Sequence, residues 1–262
     1  MNSPSSVNPI TNAIAAESKV RVAFGLLLIL ASWELCARSN PTLTMLISMP
    51  SAIGVALSRE LHSGAFYNAV AKSLLHVGSG VALGSLLGIA AGIGDVGALP
   101  GATLIRTFEV LLRPIPPLAC IPFAIILFGS SDLAATFIVA IGVFWTSLIA
   151  TREALRAVPP ELHELAAAYG YRNGPSKLWH IVLPAALPGI FAGFKTAVGQ
   201  GWTLVVAAEL IGIPGIGTRL WEAASLLANE TVFAYMATIA LLNRVSDGLL
   251  GALDRRLFAW RR

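Results

Sequence analysis

Residues 158–188 read VPPELHELAAAYGYRNGPSKLWHIVLPAALP and separate two long apolar segments of the chain. Pro159 and Pro160 predict the start of a helix, because proline is tolerated in a first helical turn. Glu161 and Glu164 fall in the opening turns, where carboxylates favour the positive end of the helix dipole. Gly170 predicts the end of this helix, since glycine readily adopts the left-handed backbone conformation that closes one.

The second half of the stretch predicts a turn and another short helix. Asn173-Gly174-Pro175 is a turn signal. A helix is expected over about residues 176–182, and Leu183-Pro184 is expected to close the unit. A helical hairpin of small and charged residues between apolar segments suits docking into a groove on a soluble partner.

The composition of the chain indicates a membrane protein, and its long apolar runs predict an all-α one. The 262 residues are 56% hydrophobic and only 12% charged, whereas soluble domains carry about 25% charged residues. A net charge of +4 agrees with the basic bias of membrane-protein loops and does not require nucleic-acid binding. Cys36 and Cys120 lie in or beside apolar runs and are interpreted as packing residues, so no metal site is expected.

Six membrane spans are predicted within a transmembrane domain of residues 19–262, after a mobile cytoplasmic tail of residues 1–18. The spans are expected at about residues 20–37, 73–94, 114–129, 133–151, 189–211 and 232–250. The hairpin described above belongs to a loop of residues 153–187. The four prolines of the third span predict an irregular helix, which membranes tolerate when its backbone is buried or lines a cavity.

Basic residues fix the predicted orientation through their excess on the cytoplasmic side. The cytoplasmic set is Lys19, Arg21, Arg106, Arg113, Arg152, Arg156, Arg172, Lys177, Arg255, Arg256, Arg261 and Arg262. The opposite set is Arg38, Arg59, Lys72 and Arg219. Both termini and the loop of residues 153–187 are therefore predicted to be cytoplasmic.

Small residues recur along two of the spans. Glycines occupy every fourth position of the second span, and two more lie four-residue multiples apart in the fifth: Gly80, Gly84, Gly88, Gly92, Gly193 and Gly201. A strip without side chains lets another helix approach closely. Packing within the subunit and packing between subunits are both consistent with this pattern.

Glu164, Ala166, Gly170, Ile181, Leu183 and Pro184 resemble the "EAA" loop of ABC-importer permeases. Leu165 stands where the usual motif has its first alanine. The gap from Gly170 to Leu183-Pro184 is one residue longer than in the family pattern. The run from Leu112 to Ala119, with Ile121-Pro122 and Phe128-Gly129, is similar to the nitrate, sulfonate and taurine permeases.

The resemblance implies the type I ABC-importer permease (MetI-like) fold and a homodimer in the cell inner membrane, surrounded by membrane lipid. It also implies a separate ABC ATPase, which binds the ATP, and a periplasmic solute-binding protein. The residues expected to couple this chain to the ATPase are Glu161, Glu164, Ala166, Ala167, Gly170, Leu183 and Pro184. The subgroup implies a small anionic solute, such as a sulfonate, taurine or nitrate.

This chain is not expected to be an enzyme or to bind nucleic acid. It has no GxxxxGK[ST] run for ATP phosphates, and its four histidines are scattered in sequence. Pro117, Trp202 and Glu209 are candidates for the solute path, although pairing of Glu209 with another group is the alternative. A stand-alone carrier and a membrane-embedded enzyme are the competing hypotheses for the whole chain.

Overall fold

A computed structural model describes residues 9–39, 47–96, 102–171 and 174–259. All regular elements within these ranges are helical. The helices are α1 (Pro9–Ser39), α2 (Pro50–Leu61), α3 (Gly64–Val96), α4 (Ala102–Leu112), α5 (Ile121–Phe128), α6 (Asp132–Arg156), α7 (Pro160–Ala168), α8 (Leu183–Glu209), α9 (Ile216–Ser225) and α10 (Asn229–Leu257).

Three helices of the described residues are long and apolar enough to cross a membrane. They are α3, α6 and the continuous helix Pro175–Glu209 that contains α8. A fourth candidate is a bent pair, in which Ala102–Leu112 meets Pro117–Phe128 at 89°. With 33 residues, α3 is about 50 Å long at 1.5 Å per residue, so it extends beyond a hydrocarbon layer of about 30 Å or tilts within it.

The first and last predicted spans lie inside α1 and α10. Helix α1 begins at Pro9, so residues 9–18, predicted to be a mobile tail, are helical, and residues 1–8 lie outside the description. Helix α10 has 29 residues but is less apolar than the three clear candidates. Asn243, Arg244 and Asp247 lower its hydropathy.

The third span differs from the prediction in where it begins. Residues 102–112 form α4 and join the bent pair, whereas the third span was predicted to start at about residue 114. The prolines at 114, 116 and 117 fall at the bend, and the turn Pro117–Cys120 is a 3₁₀ helix. Proline removes a backbone donor and clashes with the preceding turn, which accounts for the bend.

The hairpin prediction is wrong about Leu183-Pro184. A helical turn at Pro175–Lys177 passes through a π-helical segment, Leu178–Val182, directly into α8. Leu183 and Pro184 therefore begin a long helix, and the fifth span starts well before residue 189. Pro184 fits here because a first turn does not need its missing N–H.

The four glycines spaced four residues apart in the second span, from Gly80 to Gly92, face α6 of the same chain. A Cβ atom at Gly80 would lie 2.6 Å from Val139 Cβ, and one at Gly92 would lie 2.8 Å from the carbonyl oxygen of Leu148. Gly84 and Gly88 approach the backbone carbonyls of Ala140 and Phe144 still more closely. In α8, Gly193 lies against the Ala150 side chain and Gly201 against the Val81 side chain. These contacts let α3 and α6 pack backbone to backbone and let α8 lie close to both.

We expect Gly88→Ala to destabilise the protein, because its new methyl group would meet Phe144 O and lie 2.9 Å from Ser147 Cβ. Overpacking of this kind costs about 1–3 kcal/mol. Gly78→Ala is the matched control, since a Cβ at Gly78 of the same helix meets nothing within 4 Å. Melting temperatures of the two purified variants check this. A Gly88→Ala variant as stable as Gly78→Ala would contradict the packing described here.

Candidate coupling segment and membrane cleft

Helix α7 ends in a geometry that its sequence dictates. Gly170 has φ +88°, a left-handed conformation that glycine adopts without steric cost. The amide of Tyr171 donates to Ala166 O at 2.8 Å, and the amide of Gly170 donates to Ala167 O at 3.1 Å. This pair of hydrogen bonds is the Schellman closure of a helix. It turns the chain sharply and so fixes the direction in which α7 points.

One face of α7 is anchored to the membrane helices. Leu162 packs against a buried cluster that includes Leu155, Val158 and Val182, and Ala166 is fully buried. Ile89 and Ile93 of α3 pack against the same cluster. A displacement of α7 would therefore act on α3, α6 and α8 together.

The opposite face of α7 is exposed and carries Glu161, Glu164, Leu165 and Tyr169. Leu165 is 51% exposed and Tyr169 is 76% exposed. The prediction that Ala166 faces a partner is wrong, because this residue packs inward, and Ala167 is only half-buried. Leu165, which departs from the usual motif, lies on the exposed face. The predicted turn at Asn173 lies outside the described residues.

Leu183 and Pro184 sit apart from this exposed face. Leu183 packs against the anchoring cluster, and Pro184 is exposed at the start of α8. Of the residues predicted to couple the chain to a partner, the structure thus brings Glu161, Glu164 and Gly170 to one surface element. This element, α7 with its closing turn, is called the coupling segment below.

A polar cleft of about 390 Å³ lies between α8 and α10. Its lining residues are Lys195, Val198, Gly199, Ala240, Asn243, Arg244, Asp247 and Leu250. Arg244 donates to Asp247 at 2.8 Å, a local ion pair between residues three apart on one helix face. Lys195 is 3.9 Å from Asp254, beyond the end of the cleft. The cleft therefore holds two cations and one carboxylate.

A buried network at the far end of α8 holds Glu209. The carboxylate is fully buried and accepts hydrogen bonds from Ser73 Oγ at 2.8 Å and from the Gly217 amide at 2.9 Å. His76 Nδ1 lies 2.8 Å from the same carboxylate. The Ile216 amide donates to Ser73 Oγ at 2.9 Å. Glu209 thus stabilises the N-terminus of α9, where backbone amides have no helical partner.

The network continues through His76 to the start of α6. His76 Nε2 lies 3.1 Å from Asp132 Oδ1, and Lys72 donates to Asp132 Oδ2 at 2.6 Å. These contacts join α3, α6, α8 and α9 at the end of the domain opposite the coupling segment. The sequence analysis did not identify Ser73 and His76 as partners of Glu209. Their spacing of three residues on α3 was the available signal, since it puts both on one helix face.

The three candidates for a solute path lie in different places. Pro117 is half-buried near Gly142, and Trp202 is 2% exposed within the central core. The Trp202 indole donates to Ser246 Oγ at 3.2 Å. Glu209 is paired as described above. None of the three lines the polar cleft, whereas Lys195 and Arg244 both do.

Several curated proteins are similar to this chain over most of its length. A putative ABC transporter permease protein of Methanocaldococcus jannaschii is 33% identical, covering 88% of each chain. The bicarbonate transport system permease protein CmpB of Synechococcus elongatus is 35% identical over 76% of this chain and 69% of its own. The putative aliphatic sulfonates transport permease protein SsuC of Escherichia coli is 30% identical over 88% of each.

A solved structure has the same fold. The match is to the methionine ABC transporter MetNI in inward-facing conformations, with a TM-score of 0.60 and 21% identity. It covers 74% of this chain and 94% of that chain. The predicted MetI-like, all-helical membrane fold is therefore confirmed. The family described as binding-protein-dependent transport system inner membrane component matches residues 80–259, and the chain belongs to this family of ABC transporter permeases.

Proposed function

We propose that this chain is the permease subunit of an ATP-driven importer and forms the membrane path for a small anionic solute. Two copies would make the path, and a separate ABC ATPase would supply the energy. A periplasmic binding protein would deliver the solute. Family membership supports these partners. The excess of basic residues in the predicted cytoplasmic loops supports a multi-pass inner-membrane protein with both termini inside.

The proposal of an anionic solute rests on the polar cleft between α8 and α10. Charged side chains within membrane segments are costly and face a protein interior or a wet cavity. Lys195 and Arg244 both line this cleft, and Asp247 is the one carboxylate among its lining residues. The guanidinium of Arg244 is 77% exposed, so it has donors left beyond its bond to Asp247. An excess of positive charge in a space of this size favours a small anion.

Two relatives are named for anionic solutes, which agrees with the excess positive charge of the cleft. SsuC is described as a permease for aliphatic sulfonates, and CmpB as a permease for bicarbonate. Both solutes present an anionic group with oxygen acceptors. We therefore propose an oxyanion, with a sulfonate, taurine or nitrate as the expected members of the class. A charged guanidinium suits such groups, because charge-assisted hydrogen bonds are roughly twice as strong as neutral ones.

Arg244→Gln is expected to lower solute uptake at least about tenfold, because a hydrogen bond to a charged group contributes about 1.5–3 kcal/mol. Abundance should stay unchanged, since the side chain is exposed and its ion pair with Asp247 is local. Uptake of labelled ethanesulfonate, nitrate and bicarbonate by cells with the complete transporter measures this effect. Arg255→Gln, at the exposed end of α10, is the control. Unchanged uptake of all three anions in Arg244→Gln would exclude the cleft as their path.

The proposed orientation predicts opposite behaviour of two reporter fusions. A reporter active only in the cytoplasm should be active when fused after Ser176 and silent when fused after Trp221. The first position follows the coupling segment, and the second lies in α9, at the end that holds the Glu209 network. The reverse pattern would contradict the orientation and remove the coupling segment from the side where the ATPase acts.

We also propose that the coupling segment is the contact with the ATPase. Its exposed face offers Glu161 and Glu164 as carboxylate acceptors and Leu165 and Tyr169 as apolar anchors. Its buried face packs on helices that would have to move together during transport. The segment is therefore suited to pass a movement of the partner to the membrane helices, and variants that test this role are described in the Discussion.

A further inference from the structure

A cluster of charged side chains occupies the end of the membrane domain that carries the coupling segment. It comes from the end of α3, from α4 with the residue after it, and from the end of α6: Asp95, Arg106, Glu109, Arg113, Arg152 and Arg156. Four guanidinium groups thus surround two carboxylates. The cluster has a net charge of +2, and the proposed solute path does not use it.

The two carboxylates are buried and already paired. The Asp95 side chain is fully buried, and Arg106 Nε lies 2.6 Å from its Oδ1. The Glu109 side chain is 10% exposed and accepts two bonds of 2.6 Å from Arg152. These pairs hold α3, α4 and α6 together and keep the carboxylates of Asp95 and Glu109 away from the surface.

The guanidinium donors that are free to bind a ligand belong to the exposed arginines. Arg113 is 3.5 Å from Glu109 and Arg156 is 3.9 Å from Asp95, and their side chains are 56% and 61% exposed. Arg106 is 57% exposed beyond its pair with Asp95. Because a guanidinium has five donors in a planar fork, such groups bind phosphate oxygens in a bidentate manner. Arg106 and Arg113 line a cavity of about 560 Å³ beside Val110 and Pro114.

An apolar groove of about 470 Å³ is lined in part by the same segment of chain as this cavity. It lies between α3, α6 and the bent pair, and its lining includes Leu83, Leu87, Leu112, Ile115, Phe123 and Trp145. Leu112 and Ile115 line the groove, whereas Arg113 and Pro114 line the cavity. Residues 112–115 therefore contribute to both spaces. The apolar groove and the arginine cavity thus lie on the same short segment, at the bend between α4 and α5.

The walls of the groove are exposed in a single copy of the chain. Leu83, Leu87 and Phe123 are 46%, 52% and 55% exposed, and the lining contains almost no polar surface. An occupant must therefore be apolar along the groove and anionic at the arginine end. A small soluble anion satisfies only the second requirement.

We propose that an anionic phospholipid binds this composite site. Its phosphate would contact Arg106 and Arg113, and one acyl chain would lie in the apolar groove. Basic pockets between membrane helices bind anionic headgroups by this combination of charge and apolar contact. The site joins α4 to the ends of α3 and α6, next to the coupling segment, so bound lipid would stabilise the helices that carry this segment.

Native mass spectrometry of the full-length chain tests the proposal with phosphatidylglycerol and phosphatidylcholine of identical acyl chains. The wild type is expected to retain phosphatidylglycerol in preference to phosphatidylcholine. Each exposed arginine near a membrane surface contributes about fivefold to the affinity for anionic lipid. Arg106→Gln/Arg113→Gln is therefore expected to bind phosphatidylglycerol more weakly by a factor on the order of 25.

Two further variants separate lipid binding from misfolding and from general charge. Arg113→Gln alone keeps both 2.6-Å pairs of the cluster and should lose about fivefold. Arg255→Gln/Arg256→Gln removes the same charge from the end of α10 and should bind like the wild type. Equal retention of both lipids by the wild type would overturn the proposal. Displacement of phosphatidylglycerol by excess inorganic phosphate would also overturn it, because the site would then bind free phosphate. Cross-linking of Leu87→Cys between two copies would overturn it as well, because the groove would then hold a second copy and not lipid.

Discussion

Solute uptake is expected to fall at least about tenfold in Glu164→Arg, while the amount of protein in the membrane stays at the wild-type level. Glu164 is exposed on α7, so its replacement leaves the buried face of that helix intact. If Glu164 contacts the ATPase as proposed, reversal of its charge removes a charge-assisted hydrogen bond worth about 1.5–3 kcal/mol. Uptake of labelled solute, normalised to membrane abundance, measures the effect. Wild-type uptake in this variant would mean that the exposed face of α7 does not transmit the energy of ATP hydrolysis.

Gly170→Val tests the same segment through its geometry. A Cβ at this position meets nothing within 4 Å, so the substitution creates no clash. Its effect comes from φ +88°, a conformation that costs a β-branched residue about 1–3 kcal/mol. We expect α7 to close in another direction and uptake to fall as in Glu164→Arg. Gly54→Val is the control, because Gly54 has equally open surroundings and no positive φ.

Glu209→Leu is expected to have the largest effect on stability. The substitution leaves the Gly217 amide, the Ser73 hydroxyl and His76 without their buried acceptor. Removing one partner of a buried charged network costs about 3–5 kcal/mol. Purified Glu209→Leu should therefore melt at a clearly lower temperature, and little of it should accumulate in the membrane.

Glu222→Leu is the matched control for this experiment. Glu222 lies on α9, close to the same network in sequence, but its side chain is 51% exposed and its pair with Arg219 is local. Exposed ion pairs of this kind contribute about 0–1 kcal/mol. If Glu209→Leu were as stable as Glu222→Leu, the Glu209 network would not stabilise the fold. Glu209 would then again be a candidate for the solute path.

Local signals in the sequence were sufficient for α7. Pro160 at its start and Gly170 at its end act within a single turn of backbone, and the structure has the helix between them. The inward face of the same helix could not be predicted in this way. Ala166 is fully buried, and Leu162 packs on a surface to which Leu155 and Val182, from two other helices, contribute.

Leu183-Pro184 shows how a correct local signal can be misassigned. Proline disrupts a helix interior but is accepted in a first turn, and only the tertiary structure distinguishes these positions. The π-helical segment Leu178–Val182 runs directly into α8, so Leu183 and Pro184 begin that helix. The sequence had no periodic signal for that segment, because a π-bulge arises from local crowding and not from a hydrophobic repeat.

The groups that surround Glu209 come from distant parts of the chain. Ser73 and His76 are separated from it by 136 and 133 residues, and contacts of this range leave no local pattern. The glycine strip of α3 was more informative, since its spacing of four predicted close approach of another helix. The identity of that helix, α6, required the structure. Likewise, the common cleft of Lys195 and Arg244 depends on the packing of α8 against α10.

Co-purification of the ATPase with this chain tests the central claim most directly. We expect the ATPase to be recovered with the wild type and with Gly54→Val, and to be lost or strongly reduced with Glu164→Arg and Gly170→Val. Equal recovery of the ATPase with all four proteins, together with wild-type solute uptake, would show that α7 merely connects two membrane spans and would contradict its role as the coupling segment.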